Sequence, residues 1–141
     1  MTARIGLMAL AVAACAGDFP TDHVDVGGHS IKVEVAATTE LRTRGLMYRD
    51  SLGADRGMLF IYPDEQVRGF WMKNTRIPLD IAFADTSGRI VWIDQMTPLD
   101  TKSTSSRFPA KYALEMNEGW FAAHGVAVGA TLSDLPEITP E

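Results

Sequence analysis

Apolar and polar residues alternate along Ile31-Lys32-Val33-Glu34-Val35, the two-residue period of a half-buried strand. Val24-Asp25-Val26 precedes it, and Gly27-Gly28 between the two predicts a hairpin. Thr38-Thr39-Glu40 has the form of a helix start, a hydroxyl cap followed by an acid in the first turn. Leu41 and the run from Gly45 to Met47 extend it as a short helix, with Arg42, Arg44 and Arg49 facing water. Gly57 to Tyr62 is a continuous apolar strand, Pro63-Asp64 marks a turn, and Phe70-Trp71-Met72 begins a further strand. Leu79 to Ala84 turns at Asp85-Thr-Ser-Gly88 and returns as Arg89 to Met96, the clearest hairpin in the chain. A polar loop over 97–109 precedes a strand from Lys111 to Met116. Asn117 caps a short helix that runs through His124 and stops at Gly125. Val126 to Val128 and Thr131-Leu132 complete the sheet. Short strands, tight turns and two short helices predict a mainly β domain (α+β), a small barrel-like or rolled antiparallel sheet.

The pattern before residue 24 is different. Arg4 precedes an uninterrupted apolar and Gly run from Ile5 to Ala14, which is shorter than the ~18 residues of a spanning helix. This is the layout of a secretory signal peptide. Val12-Ala13-Ala14-Cys15 also resembles a bacterial lipobox, and Cys15 is the one cysteine of the chain. The expected organisation is therefore a lipoprotein-type signal over 1–14, lipidation at Cys15, a tether over 15–23, a globular domain over 24–133 and a tail over 134–141. Such a protein is exported and periplasmic or held on the outer face of a membrane by its lipid anchor. A soluble periplasmic or secreted product follows if ordinary cleavage occurs after Ala16, and a buried structural thiol is the plain alternative for Cys15.

With 141 residues the chain has room for one domain with a real core. Its formal net charge of −5 argues against a nucleic-acid partner. Charge is unevenly placed, however. Residues 42–76 carry seven bases against four acids, while from Tyr112 onward there are five acids and no Lys or Arg. The bases are either a solvated surface or a cationic face for an anionic ligand.

Gly45-Leu-Met47, Gly57-Met-Leu-Phe60, Phe70-Trp-Met-Lys-Asn-Thr75, Ile77-Pro-Leu-Asp80, Leu114-Glu115 and Gly119 together resemble the bacterial and archaeal family called domain of unknown function 192, over about residues 30–132. The resemblance implies a compact single domain, often secreted or lipid-anchored, and brings no established activity with it. Members often carry Gly-Asp near the last strand where this chain has Gly129-Ala130, so a role for an acid at that turn does not carry over.

Strand alternation sends Phe70 and Met72 to one face and Trp71 to the other, with the polar cluster Lys73, Asn74 and Thr75 directly after it. An aromatic face beside ammonium, amide and hydroxyl donors suits a polar ring or anion. Equally, Asn74 and Thr75 hydrogen-bond their own backbone to build the turn before Pro78. Asp80 accepts backbone N–H groups or pairs with Lys73 or Arg44. Glu115, flanked by Leu114 and Met116, faces opposite to them and is either paired with Arg44 or Lys73 or a functional acid. If Asp80 and Glu115 converge, they form the one plausible acid–base pair. His23, His29 and His124 lack metal-ligand spacing, and methionines at strand positions are core filler more readily than Cu(I) ligands, so no metal or cofactor is expected. Ser105 and Ser106 sit in no nucleophile motif.

The ligand-binding candidates are thus Arg44, Trp71, Lys73, Asn74, Thr75, Asp80 and Glu115. They predict a non-catalytic envelope module that binds a small polar or anionic ligand, or a partner protein, through the Trp71–Asp80 region. The alternatives are an envelope assembly factor with no small ligand, and a hydrolase or transferase using Asp80 and Glu115.

Overall fold

A computed structural model of the chain describes residues 18–141. The expected signal peptide and Cys15 lie outside the described residues. The elements are β1 (Thr21–Val26), β2 (His29–Ala36), α1 (Thr39–Arg44), β3 (Arg56–Phe70), β4 (Leu79–Ala84), β5 (Ile90–Met96), β6 (Thr104–Asn117), α2 (Trp120–Ala123) and β7 (Leu132–Ser133). They form a mainly β fold, one curled sheet of seven strands in the order β5-β4-β6-β3-β2-β1-β7. All pairs are antiparallel except β2 with β3, which run parallel and are joined through α1. Parallel neighbours need such a crossover, and the Thr38 cap supplies its start: Thr38 is extended, and its Oγ1 accepts from the Leu41 N–H at 3.2 Å.

The two edges of the sheet meet. Leu132 pairs with Val26 of β1, while its N–H donates to the Gly88 carbonyl just before β5 at 2.7 Å. The Ile90 N–H donates to Ala130, and the Gly129 N–H donates back to Ile90, both at 2.8 Å. Residues 129–132 thus stitch β5 to β1 and roll the sheet into a half-barrel, which leaves less edge backbone unpaired.

Each face of the sheet has its own core. The first cluster takes side chains from all seven strands, including Val26, Val33, Leu59, Ala82, Ile90, Leu114 and Leu132, and is plugged by Trp120 and Phe121 of α2. Residues from every strand can meet only on the concave side. The second cluster, with Met58, Phe60, Ile81, Phe83 and Ala113, lies on the other face under Leu41, Leu46, Met72 and Ile77. Alternation along β6 therefore sends Leu114 and Met116 inward and Ala113 and Glu115 outward.

Several boundaries differ from the sequence expectation. β3 does not stop at Tyr62. It continues through Pro63 and Asp64 as an irregular stretch, its register against β6 shifting between Ile61 and Gln66 and again between Val67 and Gly69. β6 starts at Thr104, inside the span expected to be loop. Phe70 ends β3, so Trp71 and Met72 follow a strand and do not open one. Asn117 does not cap α2. Gly119 holds that position, and the Asn117 Nδ2 donates to the carbonyls of Leu52 and Gly53. β1 begins at Thr21, within the expected tether, and the Val35 N–H donates to Pro20. Leu135 and Ile138 of the tail pack on the inner core, and the Glu141 N–H donates to Ala37.

Candidate functional site

A cleft of about 520 Å³ opens on the outer face. Its walls are α1 and the turn after it (Thr39 to Met47), the far half of β3 (Phe60 to Phe70), and Trp71 with Thr75. Glu115 reaches it from β6. The irregular half of β3 brings Arg68 back towards Arg42. Both guanidiniums lie over the ring of Tyr62, at 3.9 Å for Arg68 and 4.8 Å for Arg42. Arg44 also lines the cleft and lies over Phe19.

Backbone carbonyls hold these arginines in place. Arg42 Nη1 donates to Ile61 at 2.9 Å, and its Nη2 donates to Thr39 Oγ1 and to the Glu141 carbonyl. Arg68 Nε donates to Ala110 at 3.0 Å, and its Nη2 to the Asp64 carboxylate at 2.8 Å. Burial lowers the Arg42 pKa, with Arg68 adding to that effect and Tyr62 opposing it. Burial raises the Tyr62 phenol, against the pull of Arg68 and Arg42. The rim of the cleft is therefore cationic, with two guanidiniums and a phenol fixed as one unit.

Glu115 lies deeper. Its register partners are Met58 on β3 and Ile81 on β4, both members of the outer core. It is 4% exposed, and among the described residues no donor bonds its carboxyl. Burial pushes its pKa up to about 8, so the group is uncharged at neutral pH. Neither of the expected ion pairs governs it, since the cause of its shift is desolvation, and the Lys73 ammonium lies over the Trp71 ring at 5.2 Å.

The structure divides the sequence-derived candidates. Arg44, Trp71, Thr75 and Glu115 line one cleft. Trp71 is 48% exposed between buried Phe70 and Met72, although it lies past the end of β3. Lys73, Asn74 and Asp80 are not part of the lining. Asn74 adopts a left-handed conformation (φ 54°); its carbonyl accepts from the Tyr48 N–H, and its Nδ2 donates to the Tyr48 hydroxyl. Thr75 Oγ1 donates to the Lys73 carbonyl. Thr75 therefore bonds the turn's own backbone and also faces the cleft, whereas the Asn74 side chain reaches Tyr48 and not its own backbone. Asp80 pairs with neither Lys73 nor Arg44. Its Oδ2 accepts from the Gly119 N–H at 2.9 Å.

Asp80 and Glu115 do not converge. On β4 the residues 79, 81 and 83 enter the outer core and 82 and 84 the inner one, so Asp80 points to the inner face while Glu115 points to the outer. The acid–base pair expected as an alternative is not formed.

Arg42, Arg68 and Tyr62 were not identified from sequence. Arg42 was expected to face water and instead turns onto Tyr62. Arg49, also expected in water, forms a two-pronged pair with Glu34 at 2.5 and 2.7 Å. The signal that could have found the cleft residues is the excess of bases over 42–76.

Two solved structures resemble the chain closely. One, from Sinorhizobium meliloti, is described only as a candidate transcription regulator. It is 34% identical, aligns over 82% of this chain and 95% of its own, and superposes with a TM-score of 0.78. The other, a protein of unknown function from Novosphingobium aromaticivorans, is also 34% identical, covers 80% and 84% respectively, and gives a TM-score of 0.74. No curated protein matches the chain. The model of the uncharacterised family, domain of unknown function 192, matches residues 22–133, all of the rolled sheet but its first residue, and the chain belongs to that family.

Proposed function

We propose that this protein is a non-catalytic binding module of the cell envelope whose cleft takes a small organic anion with an apolar body. The observation that carries this reading is the convergence of Arg42, Arg44 and Arg68 on one opening whose deeper wall is Phe60, Phe70 and an uncharged Glu115. Among the described residues, the carboxylate bonded to Arg42 or Arg68 is that of Asp64, which lies in solvent. An anionic head at the rim gains charge-assisted hydrogen bonds, and its apolar body covers aromatic surface. Trp71 closes one side and is exposed enough to move against a ligand.

This moves the expected ligand region from Trp71–Asp80 to the space between α1 and the far half of β3, with Trp71 as the shared residue. The regulator description of the Sinorhizobium meliloti protein does not imply DNA binding here, because the net charge is −5 and Arg42, Arg44 and Arg68 line a concave cleft. The envelope assignment rests on Arg4, the apolar run to Ala14 and Cys15.

Thermal unfolding of the full chain with octanoate, and separately with octylammonium, tests the cleft. Saturating octanoate, at a hundred times its Kd, stabilises by about 2.7 kcal/mol, a rise of several degrees in Tm. Octylammonium leaves Tm unchanged, and Trp71→Ala shrinks the octanoate shift while keeping the unliganded fold. No shift with octanoate, or an equal one with octylammonium, rules the reading out. Incorporation of labelled palmitate, lost in Cys15→Ala, tests the anchor; a wild-type chain that takes up no label in its own cells removes the anchor, and one recovered from the cytoplasm with residues 1–14 still attached removes the envelope assignment.

A further inference from the structure

We propose that Glu115 is a specificity-determining residue, and that the ligand of this cleft carries an uncharged amide at the end opposite its anionic head. The inference rests on the anion-binding reading above and deepens it.

Glu115 stands between Met58 and Ile81 on the outer face, nine-tenths or more buried, with no donor to its carboxyl among the described residues. Its contact with solvent space is through the cleft. Among the described residues no side-chain oxygen is sealed off without a partner, so the Glu115 oxygens meet the solvent of the cleft, and nothing in the packing of Phe60, Phe70 or Ala113 requires a carboxyl at this position. A ligand that displaces the water there must return its hydrogen bonds to the carboxyl.

The surroundings select the partner. A carboxylate end would place a second anion against Met58 and Ile81 beside the Glu115 carboxyl. An ammonium end would have to pass Arg42, Arg44 and Arg68 and would require Glu115 to ionise between Met58 and Ile81. A methyl end would leave the carboxyl unpaired. A primary amide fits a neutral carboxyl at both atoms: the Glu115 O–H donates to the amide oxygen, and the Glu115 carbonyl accepts an amide N–H. Burial supports this, since it keeps the carboxyl protonated until about pH 8. The titratable and charged groups sharing the cleft are Tyr62 and Arg68 from β3 and Arg42 and Arg44 from α1; β4 places the apolar Ile81 opposite Glu115 and adds Leu79 and Phe83 to the same core. Burial holds the Tyr62 phenol above its usual range near 10, while Glu115 changes charge near pH 8.

Three compounds with one head and one chain length separate the cases: octanoate, 8-aminooctanoate and suberic acid monoamide. Each is titrated calorimetrically into the full chain at pH 7. The monoamide binds roughly tenfold tighter than octanoate, as expected for satisfying one buried polar group, and 8-aminooctanoate is the weakest. Glu115→Met, which fills the site with an apolar chain, erases the difference between monoamide and octanoate. Glu115→Gln retains it, because an amide can also pair with an amide. In the wild type the monoamide advantage falls above pH 8, and in Glu115→Gln it does not. Octanoate binding as tightly as the monoamide, or 8-aminooctanoate binding tightest, overturns the inference and leaves the anion reading standing. Failure of all three to bind overturns the anion reading itself. A merely structural Glu115 would lower the stability of the variants without changing the ranking of the three compounds, and that result also overturns the inference.

Discussion

Asp80 and Glu115 lie on adjacent strands, one register step apart, and leave the sheet on opposite faces. Asp80 faces inward and bonds the backbone N–H of Gly119, where the chain enters α2 in a left-handed turn (φ 83°). Glu115 faces outward into the cleft. Each carboxyl therefore belongs to a different structure, one to the plug of the half-barrel and one to the arginine-rimmed opening.

The first consequence concerns Asp80. Asp80→Ala removes the acceptor of the Gly119 N–H and loosens the entry to α2. The bond is exposed to solvent, so the cost is about 1 kcal/mol, or some 3–4 °C in Tm for a domain of this size. Octanoate affinity, measured by calorimetry, stays within twofold of wild type. Loss of binding in a variant that still unfolds cooperatively would mean that Asp80 reaches the cleft.

Glu115 makes stability fall as pH rises. In the unfolded chain a Glu titrates near 4.5, whereas the folded group holds its proton to about 8. Between those values the unfolded state gives up a proton that the native state keeps, so deprotonation favours unfolding by about 1.4 kcal/mol per pH unit. The stabilising contribution is fully present below pH 4.5 and is lost as pH approaches 8. Urea titrations at pH 5, 6, 7, 8 and 9 then show wild type losing ground steadily against Glu115→Gln, with the gap levelling off above pH 8. Parallel curves for the two proteins would show that Glu115 is solvated and ionises normally.

Gly57 governs how closely β3 approaches β6 beside this residue. A Cβ built there lies 2.3 Å from Met116 Sδ and 2.6 Å from the Glu115 carbonyl oxygen. The methionine can move, but the carbonyl belongs to the ladder and cannot. Gly57→Ala costs on the order of 1–3 kcal/mol, read as a lower urea midpoint at constant slope. It also weakens octanoate binding, because the backbone that must shift is that of Glu115. A midpoint unchanged from wild type would mean that the strands are not in contact at this point.

The parts of this fold that were legible in the sequence are those whose partners lie a few residues away. Thr38 caps α1 through Leu41, Gly27-Gly28 turns β1 into β2, and Asp85 to Gly88 turns β4 into β5. The run through Pro63 and Asp64 reads locally as a turn, yet it remains strand because β6, some forty residues later, supplies the other half of an irregular pair. Asn117 has the sequence of a helix cap, but the carbonyls of Leu52 and Gly53 reach it first. Alternation gave Glu115 its face. It could not show what covers each face, and so it could not place Arg42 and Arg68, 26 residues apart, on the same Tyr62 ring. An excess of bases over 42–76 is visible in the sequence. Their convergence depends on the second register shift of β3.

That register shift is held by Ser106. Between Val67 and Gly69 on β3 the partner strand β6 carries extra residues, with Arg107 in a left-handed conformation (φ 63°). Ser106 is fully buried inside this bulge, accepting from the Arg68 N–H at 2.8 Å and donating to the Phe108 carbonyl at 2.7 Å. Ser106→Ala deletes both bonds and leaves a half-buried N–H without its acceptor, at a cost of about 1–2 kcal/mol. The orphaned N–H belongs to Arg68, whose guanidinium forms the cleft rim, although Ser106 itself is not part of the lining. The variant therefore loses several degrees of Tm and also binds octanoate several-fold more weakly, a pairing that a defect confined to the core would not produce. Unchanged affinity alongside lowered Tm would mean that Ala110 and Asp64 hold Arg68 unaided, and that the bulge does not position the site.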